Sequence, residues 1–137
     1  MRIETRARAR VLQALYAWDM RGERDLRKVA DRVWDDLHVG PQERRLASLI
    51  IDKLETSGAE LDEELKAVTT NWRLERLGAI ERSVLRLGAA ELLRAETPPR
   101  VVIHESVRLA ERYGTEASAR FVNGVLDALA RRMNVLR

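Results

Sequence analysis

The chain has 137 residues, 45% of them hydrophobic and 34% charged, which excludes the disordered class and gives enough length to bury a core. With no cysteine it can form neither disulfides nor thiolate metal sites, and no segment approaches the roughly 20 apolar residues of a membrane span. These features fit a cytoplasmic protein. The net charge is only +3, but it is unevenly spread: residues 1–67 hold 13 Lys and Arg against 14 Asp and Glu, and residues 68–137 hold 12 against 8. Only three of the 25 basic residues are lysine, and the planar guanidinium fork suits phosphate.

Every periodic segment reads as helix, which predicts an all-α protein of six to seven helices. The first starts near Thr5 as N-cap, directs Val11, Leu12, Leu15 and Trp18 inward, and stops at Arg21-Gly22. Asp25 caps a second, whose Leu26, Val29, Ala30, Val33, Trp34 and Leu37 share one face. Gly40-Pro41 opens a third through Leu46, Leu49, Ile50 and Leu54 to about Gly58, with a shorter fourth carrying Leu61, Leu65 and Val68. The stretch "TTNW" at residues 69 to 72 interrupts the pattern and divides the chain into halves at about 1–68 and 69–137.

The apolar run Leu77, Ile80, Val84, Leu85, Leu87, Leu92 and Leu93 then marks a central helix. Thr97-Pro98-Pro99 ends it and opens another through Val102, Ile103, Val107 and Ala110 to Gly114. The last, from Glu116 to Met133, contains Asn123-Gly124 inside a strong helical pattern. A glycine there costs roughly 1 kcal/mol, and close helix packing is the expected reason.

Catalytic motifs are absent: there is no phosphate-binding glycine loop, no HExxH, no G-x-S-x-G and no metal-ligand spacing. His38 and the adjacent pair His104-Glu105 carry no pattern of their own, and no cofactor or metal is expected. The opening segment "RARARVLQALYAWDM", residues 6 to 20, is different. On a helical wheel Arg6, Arg10 and Gln13 fall within about 60° of one another, Tyr16 borders them, and Arg2 joins if the helix begins earlier. Arg8 falls on the inner side. Two guanidinium groups one turn apart can grip successive phosphates while a tyrosine ring receives a base, yet a solvated helix face would look the same. Cations at a helix N-terminus also oppose the macrodipole, by about 0.3–1 kcal/mol each, a placement that points to a use.

Three blocks in fixed order, the opening segment, "LERLGAIERSVLRLGAAELL" and "TPPRVVIHESVRLAERYGTEASARFVNGVLDALA", make the chain resemble the NusB family of bacterial transcription antitermination factors. The resemblance implies two packed three-helix bundles. It also implies a non-enzymatic factor that binds boxA RNA with the small-subunit ribosomal protein NusE, in an antitermination complex on RNA polymerase. By that resemblance RNA faces Arg6, Arg8, Arg10 and Tyr16, together with Ser118, Arg120 and Phe121, as two walls of one site. The protein partner would meet Glu75 and Glu81, whose charge suits a basic surface. Ala117 stands where members often carry an acid, and His104 where many have asparagine. Other readings are a homodimer or interaction module, an accessory domain of an RNA methyltransferase, and a small helical enzyme binding an acidic metabolite.

Overall fold

A computed structural model describes residues 2–69 and 74–136, apart from the side chain of Glu75. It contains six α-helices and one short 3-10 helix, Leu74–Arg76, with no strand among the described residues.

Helix α1, Ile3–Arg21, begins earlier than Thr5. Arg2 is its N-cap, and the Arg2 carbonyl accepts from the Arg6 amide at 3.1 Å. Thr5 is therefore inside the helix, where its hydroxyl donates to Glu105 at 2.9 Å instead of capping. Gly22 ends the helix at φ +66, a conformation that favours glycine, and its amide bonds back to the Trp18 carbonyl.

Helix α2, Leu26–Asp36, is capped by Asp25, whose carboxylate accepts from the Lys28 amide. It buries Leu26, Val29, Ala30 and Trp34, whose indole donates to the Arg10 carbonyl at 3.0 Å and so ties α2 to α1. Leu37 is exposed, although it continues the apolar stripe of α2.

Helix α3, Pro41–Val68, is a single helix of 28 residues, not two. Gly58 does not break it because Leu54, Leu61 and Leu65 are spaced by seven and four, which keeps one face in phase on either side of the glycine. Tertiary burial of that face outweighs a local cost of about 1 kcal/mol. Leu49, expected to point inward, is exposed.

Helix α4, Ala79–Arg94, is central: from Ser83 to Leu92 every residue except Arg86 is buried, and the helix contacts α1, α3, α5 and α6. Helices α5, Pro99–Tyr113, and α6, Glu116–Arg132, pack against it and each other. The close approach expected at Gly124 occurs instead at Gly88, where a Cβ would come within 2.7 Å of the Leu126 side chain and 3.0 Å of Ser106 Oγ. A Cβ at Gly124 would meet nothing within 4 Å. Helices α1 to α3 contact one another, as do α4 to α6, and the buried residues of both sets form one continuous core.

Candidate nucleic-acid interface

The outer side of α1 carries the expected basic strip. Arg6 and Arg10, one turn apart, share the carboxylate of Glu43, each through its Nε, at 2.7 and 2.8 Å. Arg10 also donates to the Gln13 side chain at 3.2 Å. Glu43 reaches them because Gly40 and Pro41 start α3 just below, which places it in the first turn of that helix. Hydrogen bonding from Arg10, seconded by Arg6 and by the charge of both, holds the Glu43 carboxyl below the usual carboxylate range. The two arginine side chains remain 43% and 28% exposed. Arg2 is exposed and 3.7 Å from Glu4, and Tyr16 stands exposed on the same outer side.

Arg8 differs. Two residues on from Arg6 the helix has turned by about 200°, so Arg8 points into the molecule and is 6% exposed. It makes a bidentate pair with Glu91 of α4, at 2.7 and 3.0 Å, with Glu105 of α5 at 3.5 Å behind it. Burial disfavours its charge, but the hydrogen bond and charge of Glu91 outweigh that, and the guanidinium pKa is raised. The resemblance placed Arg8 on the RNA; the geometry makes it the ion pair that joins α1, α4 and α5.

The far end of α1 is held by a second network. Asp19 accepts from Arg82 and lies 3.3 Å from Arg86. Arg86 in turn pairs with Asp62 of α3 at 3.1 Å and lies over the Trp18 ring at 5.3 Å. The hydrogen bond from Arg82 is the main reason that the Asp19 carboxyl is held below the usual range.

Ser118, expected to face RNA, is buried and occupied. With Thr115 it forms the capping box of α6, and its hydroxyl donates to Glu81. Arg120 is exposed and Phe121 is half-buried against the core. A cleft of about 260 Å³ lined by Arg76, Glu81, Ala117, Ser118 and Phe121 thus brings an expected partner residue among the expected RNA residues. The side chain of Glu75 lies outside the described residues.

The two expected walls are not face to face. Arg8 pairs with the C-terminal end of α4, while Asp19 and Ser118 both meet its N-terminal end, through Arg82 and Glu81. Arg120 and Phe121 therefore lie towards the opposite end of α1 from Arg6, some 20 Å along the helix axis. Sequence inspection missed Glu43 and Asp19, which lie far along the chain from the arginines they hold.

His38 and His104 are both exposed, and no group of three or more His, Asp or Glu among the described residues could hold a metal ion. No helix among them is long and apolar enough to cross a membrane.

The NusB family model matches residues 5–131. The chain belongs to the NusB family. The transcription antitermination protein NusB of Anaeromyxobacter dehalogenans is 43% identical over 129 residues, 92% of this chain and 89% of the relative. The fold matches that of a chain in the crystal structure of a plectonemic RNA supercoil, with TM-score 0.88 and 31% identity over 98% of both chains. It also matches a chain in the crystal structure of the antitermination factors NusB and NusE in complex with dsRNA. There the TM-score is 0.85, at 32% identity, over 96% of this chain and 98% of that one. Within the NusB fold, the strip of α1 gathers Arg6, Arg10 and Tyr16, and the cleft beside Glu81 gathers Arg76 and Phe121.

Proposed function

We propose that this protein binds boxA RNA together with the ribosomal protein NusE and acts without catalysis in antitermination on RNA polymerase, notably at ribosomal RNA operons. Family membership carries the reading, and the solved likeness that holds both NusE and dsRNA supports its two partners. The outer strip of α1 adds a physical route. Arg6 and Arg10 are already held side by side by the Glu43 carboxylate, so an RNA phosphate can replace it with little loss of side-chain freedom. Arg2 and Gln13 extend the strip and Tyr16 offers a ring for an unstacked base. At the other end Arg120 and Phe121 offer a second cation and ring, and Glu81 a negative charge for a basic partner.

Titration of labelled boxA RNA, with and without NusE, tests the reading. We expect salt-sensitive binding that tightens when NusE is present. Binding that ignores both RNA sequence and NusE would overturn it. Mass that rises with concentration in the same samples would reveal a homodimer.

A further inference from the structure

The arginines that the sequence singles out at the start of α1 are ion-paired, whereas α5 carries a row of arginines with no ion pair among the described residues. Along α5, Arg100, His104, Arg108 and Arg112 recur every four residues, and Arg100, His104, Arg108 and Arg112 are all exposed. None of Arg100, Arg108 and Arg112 forms an ion pair among the described residues, whereas Arg6, Arg8 and Arg10 all do. Each four-residue step rises about 6 Å and turns about 40°, so the ridge extends for about 18 Å with a gentle wind. That step resembles the repeat of phosphates along an extended strand.

Two acids beside this ridge are engaged elsewhere. Glu105 is held by Thr5 and Arg8, and Asp127, which shares a cleft with Arg100 and His104, bonds Arg131 at 2.9 Å. Glu111 is the acid that remains exposed beside Arg108 and Arg112, leaving the ridge positive. Arg112 also lies over the ring of Tyr113, which is itself exposed. The ridge abuts α1, because one cleft of about 340 Å³ is lined by Thr5 of α1 together with Arg108 and Arg112.

We propose that Arg100, His104, Arg108 and Arg112 form a backbone-tracking surface along which single-stranded RNA leaving the α1 strip runs phosphate by phosphate. This rests on the RNA-binding reading above and extends it to RNA outside the boxA element. The arginines supply charge, and the imidazole supplies an N–H donor at the intermediate step. Such contacts add affinity without reading sequence.

The test measures binding of two fluorescein-labelled single-stranded RNAs across a salt series: boxA alone, and boxA extended by about a dozen nucleotides on each side. For the triple variant Arg100→Ala, Arg108→Ala, Arg112→Ala, the longer RNA should bind about ten- to a hundredfold more weakly. Its slope of log affinity against log salt should fall by about 2, from three contacts at about 0.7 each. The short RNA should bind as it does to the wild type, and the matching triple lysine variant should keep the wild-type slope. An unchanged slope on the longer RNA overturns the ridge, whatever acidic protein it might otherwise meet, and so does an equal loss on both RNAs. Arg6→Ala with Arg10→Ala addresses the reading beneath it by weakening both RNAs. If that pair weakens neither while the ridge variant still flattens the slope, the α1 reading falls and the ridge stands. A wild-type protein that binds neither RNA overturns both.

Discussion

Arg8 and Arg10 stand two residues apart on α1, yet one is sealed against Glu91 at the junction of three helices and the other lies half-open on Glu43. The same side chain on the same helix stabilises the fold on one side and faces solvent on the other. Helix phase, not residue type, decides between them. A buried arginine needs a dedicated carboxylate of fixed geometry, whereas a surface arginine can exchange its partner.

The largest expected effect breaks the inner side. Arg8→Ala leaves Glu91 charged and buried, and should cost about 3–5 kcal/mol in urea denaturation. Replacing both partners, Arg8→Met with Glu91→Leu, should recover most of that loss. If the single and double variants are equally unstable, the pair is not what holds the junction.

Asp19→Asn tests the other anchor of α1, with an expected cost of about 1–3 kcal/mol at neutral pH. Because the folded Asp19 carboxyl titrates below the usual range, its contribution is full above that range and is lost as pH falls through the lowered value. The gap between variant and wild type should therefore narrow below about pH 4. A gap independent of pH would show that the charge of Asp19 is not its source.

The outer side should respond in binding rather than in folding. Arg6→Ala with Arg10→Ala should lower boxA affinity about tenfold and the salt slope by about 1, with stability altered by less than about 1 kcal/mol. Glu43→Gln sharpens the comparison from the opposite direction. Removing the resident carboxylate frees both arginines, so RNA should bind about two- to fivefold more tightly at low salt. Weaker binding would mean that Glu43 is needed to position the arginines more than it competes with phosphate.

The smallest effect concerns backbone alone. Gly124→Ala, with open space for the new methyl, should stabilise by about 0.5–1 kcal/mol, while Gly88→Ala, where Leu126 stands at 2.7 Å, should destabilise. Thermal melts of the two variants should therefore shift in opposite directions.

What the sequence revealed was periodic, and what it concealed was pairing across distance. The phase of α1 correctly turned Arg8 inward, and Asp25, Gly22 and Pro41 punctuated helices where local chemistry said they should. Gly58 misled because a local breaker rule ignores the apolar stripe running past it on α3. Gly124 misled in the reverse sense, since the glycine under packing pressure is Gly88, hidden in a helix apolar on nearly every side. Ser118 looked like a ligand-facing hydroxyl, though the spacing from Thr115 is that of a capping box and could have been read as such. The carboxylates on Arg8 and Arg10 lie 83 and 33 residues along the chain, and no local pattern announces them. The four-residue recurrence of Arg100, His104, Arg108 and Arg112 on α5 escaped the sequence reading, because it carries meaning only once its arginines are seen to lack ion-pair partners among the described residues.

Helix α3 passes unbroken through Gly58 for 28 residues, about 42 Å. Its first turn grips Arg6 and Arg10, and its last third grips α4 through Asp62 and α6 through Glu64. It thereby acts as a ruler, fixing the gap between the α1 strip and the cleft at Glu81. In the function proposed above an RNA must span that gap to reach both surfaces, so an oligonucleotide too short to bridge it should engage one end only.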